Sequence, residues 1–394
     1  MSQTLRCALR SLCTPLKRDV LKLAPPLSSV LNTRFLYAKA TLGLDGFAEQ
    51  SKQIHQQMEN IAGKFREKMT TYSSEDSQNM IFTEDLKNMV YMAESDADVE
   101  LVVKMTKKFN SQNKELRFGN FVFGPVIMRM FYTHNKADLA LECFKAPEFD
   151  GIFDQLITYQ ILLDLLYENG KYQEILDTFE VIKGRQLEGT KYPRNSVVLV
   201  MAACYKMNSK ESVEYALKFW NELRGAGHFP MRRATTFCAG LALNQGMPEA
   251  ALEIISNVRN PNYVTIRNIK ARALSEIGRL DDVITILKSV ISDDRPGEVA
   301  HTFNRDVLEA IKAKVLEADN PEISAEFNRL EKLFEKEGHI TNETLDQHLC
   351  SEIQKPPVMN NRQGNRFNRF QQSDRRPSPG FKRPSYRPGL KDLI

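Results

Sequence analysis

Six short apolar segments recur along the middle of this chain, and none of them can hide its own apolar side. They are "DVELVVKM", "DLALECF", "YQEILDTF", "EYALKFW", "EAALEII" and "DDVITIL". Aligning their central apolar residues, Leu101, Leu141, Leu176, Leu217, Leu252 and Ile284, gives successive offsets of 40, 35, 41, 35 and 32. A period in the middle thirties with helix–turn–helix content is the mark of a stacked array, in which each helix pair buries its apolar face on its neighbours. The core then runs from unit to unit and is not gathered at one centre.

The best-defined unit is "TYQILLDLLYENGKYQEILDTF", residues 158–179. Ile161, Leu162, Leu165 and Leu166 make one apolar run, Ile175, Leu176 and Phe179 a second, and Gly170 lies between them. Gly246 and Gly278 take the same place in later units, where the chain must reverse sharply. Gly225 and Gly227 with Pro230, and then Pro261, separate consecutive units. Before the array, "SKQIHQQMENIAGKFREKM" spaces Ile54, Met58, Ile61 and Phe65 as one helix stripe, an N-terminal cap. After it, Asn320 and Pro321 have the character of a helix cap and first turn. Ile323, Phe327, Leu330 and Phe334 form the stripe, Gly338 ends it, and a shorter helix follows around Leu345 and Leu349. Ten to fifteen helices are expected.

Charge is unevenly spread. The formal net charge is +4, yet the first 40 residues carry +6 and residues 361–394 carry +7, which leaves the body at −9. A uniformly basic nucleic-acid surface is thereby excluded, and any such surface is a local patch or the tail. At the N-terminus, Leu5, Leu9, Leu12 and Leu16 share a helical face, with Arg6, Arg10 and Lys17 off it and no acid before Asp19. That pattern describes a mitochondrial transit peptide over residues 1–37, with processing near residue 37 after Arg34; a retained basic arm is the alternative. The C-terminal stretch at 355–394 mixes Arg, Asn, Pro and Gly with Phe367, Phe370, Phe381 and Tyr386. It lacks the aliphatic residues that offset chain entropy, so disorder is expected. Arginines beside aromatics there can grip phosphates and stack on bases, or simply solubilise the chain.

Motifs for catalysis are missing from the sequence. The six cysteines, Cys7, Cys13, Cys143, Cys204, Cys238 and Cys350, form no C-x-x-C pair and read as reduced thiols acting as small core residues. There is no HExxH, phosphate-cradling glycine loop or nucleophile elbow. The expectations are therefore no enzyme, no metal, no cofactor and no membrane span.

The segment "TYQILLDLLYENGKYQEILDTFEVIKGRQL" resembles a pentatricopeptide repeat, with its Thr-Tyr start, Gly hinge and apolar second helix. Units near 121–146, 194–226, 233–259 and 264–291 are degenerate versions. With "NFVFGPVIMRMFY", "ACYKMNSKES" and "RRATTFCAGLALNQ", the resemblance to mitochondrial members of that family covers roughly residues 80–350. It implies an all-α, right-handed α-solenoid of degenerate helix–turn–helix repeats with disordered N- and C-terminal segments. The divisions are a capping region at 45–80, a solenoid at 81–292 and C-terminal helices at 300–350, between the leader and the tail.

In the family, first helices line a groove that takes single-stranded RNA, one base per repeat. The residue after the Thr-Tyr pair reads the base: Gln160 here, with approximate counterparts Pro125, Val198, Cys238 and Asn268. Only Gln160 and Asn268 can bond a base edge directionally. One turn on lie Arg129, Asp164, Ala202, Ala242 and Arg272, with Lys206 a further turn along and Arg232 and Arg233 near a helix start. These give a basic patch interrupted by Asp164. The resemblance implies a non-catalytic protein of the mitochondrial matrix that binds mitochondrial RNA, acts in mRNA processing and RNA maturation, and supports the respiratory chain. RNA-processing nucleases or the mitoribosome are the implied partners. The other reading is a protein-interaction or mitoribosome-associated scaffold, which tolerates poor base-reading residues.

Overall fold

The computed structural model describes residues 36–353 apart from 75, 113–120, 257, 259–261 and 294–301. The leader up to Phe35, Pro261 and the tail at 355–394 lie outside these residues. Within them, helices succeed one another in hairpins. A one-turn α1 (Lys39–Leu42) leads into α2 (Leu44–Met58) and α3 (Ala62–Ser73). The pairs that follow are α4 (Thr83–Met92) with α5 (Asp96–Ser111), α6 (Gly124–Thr133) with α7 (Ala137–Lys145), and α8 (Leu156–Glu168) with α9 (Tyr172–Arg185). Next come α10 (Arg194–Met207) with α11 (Lys210–Gly225), α12 (Arg232–Asn244) with α13 (Pro248–Ser256), and α14 (Val264–Ile277) with α15 (Leu280–Asp293). The last pair, α16 (Arg305–Glu317) with α17 (Pro321–Glu337), is followed by the short α18 (Leu345–Leu349).

Local chemistry sets these boundaries. Ser95 caps α5 and Ser209 caps α11, each in a reciprocal capping box. The Asn320 side chain accepts from the backbone of Glu322 and Ile323, and Pro321 fills the first turn of α17, where no amide donor is needed. The hairpin turns share a stereochemical device. One residue in each of six successive turns has positive φ: Asn135, Gly170, Asn208, Gly246, Gly278 and Asp319. Half of these are Asn or Asp, which tolerate the left-handed region better than other L-residues. The turns also hold one another. Asn169 Nδ2 donates to Asn135 Oδ1 at 2.7 Å, and Gln245 Nε2 donates to Asn208 Oδ1 at 2.9 Å.

First helices pack on first helices in order, from α2 through α4, α6, α8, α10, α12 and α14 to α16. Second helices lie outside them, α3 on α5 and α15 on α17, and α9, α11 and α13 each also wedge against the following first helix. The result is an all-α, two-layer helical-repeat solenoid. Strand pairing among the described residues is confined to a parallel two-residue pair, β1 (Phe303–Asn304) with β2 (Ile340–Thr341), and a bridge between Tyr37 and Ile353. The stripe expected as one helix over Ile54–Phe65 is broken. The chain turns at Glu59–Ile61, and Ile61 is exposed. The break lets one half join the first-helix layer on α4 and the other the second-helix layer on α5. With this split and the two one-turn helices, eighteen α-helices occur among the described residues, more than the sequence suggested.

Three central first helices are buried all round. Every residue from Thr158 to Tyr167 of α8, from Ser196 to Tyr205 of α10 and from Ala234 to Leu243 of α12 is buried. A helix with only one covered side shows a stripe; these are covered on both. Among the described glycines, the one with least room for a side chain stands where α6 begins. A Cβ on Gly124 would run into the Ile152 carbonyl oxygen and the Gln155 side chain. Gly124→Ala is therefore expected to cost ~1–3 kcal/mol, read as a lower midpoint in urea unfolding with unchanged slope.

Candidate nucleic-acid interface

The cover over α8, α10 and α12 is the chain itself. Residues 36–42 come in from one side and 345–353 from the other. They join through Ala38 N–H to the Ile353 carbonyl at 3.2 Å and Ile353 N–H to the Leu36 carbonyl at 2.8 Å. Leu36 and Leu42 are fully buried, and Tyr37 nearly so. The Leu36 amide donates to Glu168 Oε1 at 3.2 Å, and Tyr37 Oη donates to Asn195 Oδ1 at 3.4 Å. From the other side, the Leu349 side chain sits against Gly240, which has no side chain to keep it away.

The basic residues singled out from sequence fall largely on this clasp. Arg129 Nε donates to the Leu42 carbonyl at 2.8 Å and its guanidinium covers Gly43. Arg233 donates to the His348 and Leu349 carbonyls at 3.2 and 2.6 Å and to Ser351 Oγ at 2.7 Å. Lys206 pairs with Asp346 at 3.3 Å. Asn268 Oδ1 accepts from the Asn304 amide at 2.9 Å, which anchors β1 to α14. Arg272 pairs along its own helix with Glu276 at 3.1 Å. Arg232 departs from its neighbour Arg233: its guanidinium stacks on the Tyr263 ring, 3.8 Å from the centroid. The structure thus brings Lys206 and Arg233 together through the C-terminal segment and leaves Arg129, Asn268 and Arg272 apart.

Gln160 is placed differently. It is 3% exposed, and its Oε1 accepts from Asn195 Nδ2 at 2.7 Å while its Nε2 has no hydrogen-bond partner. It lines a notch of about 460 Å³ between the starts of α8 and α10, with Asn195, Ser196 and the exposed Arg194. Ser196 Oγ, buried, also lacks a partner. Sequence reasoning missed Asn195, although it follows Gln160 by 35 residues, one repeat period.

Asp164 does not interrupt a solvent-facing basic patch as the sequence suggested. It is fully buried and accepts from Tyr132 Oη at 2.9 Å. Burial pushes its carboxyl up to about 8 against the pull of the Tyr132 hydroxyl, and Glu168 adds to the rise. Burial likewise raises Tyr37 and lowers Arg233 and Arg129. The described cysteines are free thiols; Cys143, Cys204 and Cys238 are buried, and burial pushes Cys143 and Cys204 up to about 12, where they are poor nucleophiles. Among the described residues no group of His, Cys, Asp and Glu has metal-holding geometry, and no helix is long and apolar enough to cross a membrane.

Comparison with known proteins gives a consistent set of relatives. The chain is 29% identical to pentatricopeptide repeat-containing protein 2, mitochondrial, of Mus musculus over 272 residues, 69% of this chain and 70% of that protein. The Homo sapiens protein of that name is 29% identical over 272 residues, 69% of each chain. The Danio rerio protein is 28% identical over 321 residues, 80% of this chain and 81% of that one. No family model matches the chain.

Two outcomes follow from this geometry. Arg233→Ala removes three bonds to the C-terminal segment and is expected to cost about 2–3 kcal/mol locally. Hydrogen exchange should show protection lost at Leu36–Leu42 and Leu345–Leu349 while α8 and α10 interiors stay protected. For Asp164, the folded-state value of about 8 lies above the usual 3.8, so the native state holds the proton more tightly. The cost of ionising it is absent below the lower value, grows as pH rises between the two, and is complete above about 8. Thermal unfolding from pH 5 to 8 should therefore favour Asp164→Asn over the parent increasingly as pH rises.

Proposed function

We propose that this chain, a homologue of the pentatricopeptide repeat-containing proteins, binds single-stranded RNA in the mitochondrial matrix and acts without catalysis in the maturation of mitochondrial transcripts, so supporting the respiratory chain. The organelle follows from the leader-like first 37 residues and from the mitochondrial relatives. Nucleases or the mitoribosome would do the chemistry on the RNA it holds.

The observation that carries this reading is the Gln160 amide. A nearly buried Nε2–H without an acceptor is a costly thing to keep, and a nucleobase carbonyl entering the notch would satisfy it. Arg194 stands at the same notch to take a phosphate. The helix starts that flank it add their positive dipole ends. The covered faces of α8, α10 and α12 move contact from the middle of the first helices to their N-terminal edge.

The covering also gives the scaffold reading its footing, because a face closed by the chain's own segments needs no base code. The two separate on direct measurement. Full-length protein is expected to bind a fluorescent single-stranded oligoribonucleotide in anisotropy titrations. Gln160→Ala should weaken binding roughly threefold to tenfold. Arg194→Glu should reduce the salt slope by about one. Absence of binding in dilute buffer, together with crosslinking in intact mitochondria that captures proteins and no RNA, would replace the RNA reading with the scaffold.

A further inference from the structure

Two repeats beyond the notch, a second cavity of about 340 Å³ opens between the end of α11 and the starts of α12 and α14. Its walls include Trp220, Arg224, His228, Phe229, Arg232 and Tyr263. Three features set it apart from an ordinary crevice. Phe229 is 72% exposed, the most of any large apolar side chain among the described residues, and Tyr263 is 43% exposed. The Arg232 guanidinium already lies flat on the Tyr263 ring at 3.8 Å. Trp220 is 4% exposed, yet its indole Nε1–H has no acceptor, and neither has His228 Nε2 a partner. The cavity wall thus brings together Trp220, whose buried indole N–H is unpaired, two exposed rings and two arginines.

We propose that this cavity is a nucleobase pocket: it takes one unpaired base of single-stranded RNA, stacked on Phe229 and Tyr263, with a base carbonyl accepting from Trp220 Nε1–H. The proposal deepens the RNA-binding reading and rests on it. Every base has a π-face, so stacking supplies affinity without sequence. The N–H of Trp220 can only donate, so it needs an acceptor on the base: the exocyclic carbonyl oxygens of uracil, guanine and cytosine stand clear of the ring and meet it better than adenine, which offers only in-ring nitrogens. Arg224 and Arg232 line the cavity and would meet the ribose-phosphate; Arg232 is positioned in advance by the ring beneath it, whereas Arg224 shares its charge with Glu253 at 2.9 Å. The volume, at the lower end of ordinary ligand pockets, suits one base with its sugar. The cavity and the Gln160 notch lie on the same edge of the array, where successive first helices begin, so one strand could run from notch to pocket.

The chain supplies its own probe, since Trp220 is the single tryptophan of the sequence. Full-length protein is titrated with oligo(U) and oligo(A) of about ten nucleotides, a length within one single-strand site. Anisotropy reports binding, and tryptophan fluorescence reports the pocket. Oligo(U) is expected to bind and quench Trp220, and oligo(A) to quench less. Phe229→Ala, at an exposed position, and Tyr263→Ala should each weaken oligo(U) binding about tenfold and remove the quench. RNA that binds with unchanged fluorescence and undiminished affinity in both variants overturns the pocket and leaves the RNA-binding reading standing. Equal quenching by the two oligonucleotides overturns the carbonyl selection. If neither oligonucleotide binds, the RNA reading falls, and uridine 5′-monophosphate decides the pocket by itself. Quenching in the parent and not in Phe229→Ala supports it, and no quenching ends it.

Discussion

A short amphipathic helix has to bury its apolar stripe on something, and in this chain the central first helices must bury two. The second-helix layer covers one side of α8, α10 and α12. The other side is covered by the segments at 36–42 and 345–353, drawn from opposite ends of the array and joined to each other by backbone hydrogen bonds. The polar groups caught beneath that cover had to be matched. Arg233 saturates the carbonyls at the end of α18, Glu168 takes the Leu36 amide, and Asp164 is kept protonated near neutral pH by its burial. The clasp converts what would be an open inner wall into a second core. The RNA contact proposed above accordingly falls at the helix starts along the edge.

Electrostatics point to the same edge. The body is acidic overall, and many of its cations are engaged between repeats: Lys136 with Asp96, Lys171 with Asp138, Lys183 with Glu222 and Lys288 with Glu326. Exposed pairs of this kind add little to stability. They do fix the register of neighbouring units, and they remove lysines from any phosphate-binding role. The proposed RNA binding would then depend on the local field near Arg194 and Arg232 and on stacking, more than on total charge.

Much of the array was legible in the sequence. The offsets between Leu101 and Ile284, together with Gly170, Gly246 and Gly278, placed the hairpins, because apolar periodicity and turn stereochemistry are local properties that any stack must respect. The other turns were harder to see, since Asn135, Asn208 and Asp319 reach positive φ without announcing it as glycine does. The break at Glu59–Ile61 was hidden for a related reason. The stripe is continuous in sequence, and only the need to feed two layers splits it.

The candidate site was legible in Gln160 and Arg232, which line the two cavities, and obscured in the rest. Gln160 stood out through its place after the Thr-Tyr pair, and it does line a cavity. Arg129, Lys206 and Arg233 carried the right charge in the right periodic position, and the fold used them to hold the clasp. The sequence by itself determined a stack of helix hairpins with a continuous core, because burial of an amphipathic stripe is dictated by residues a few positions apart. Only the tertiary structure decided which surface stays open. That depends on Leu36–Leu42 and Leu345–Ile353 meeting across more than 300 residues of chain, and no local pattern encodes a contact between segments so distant.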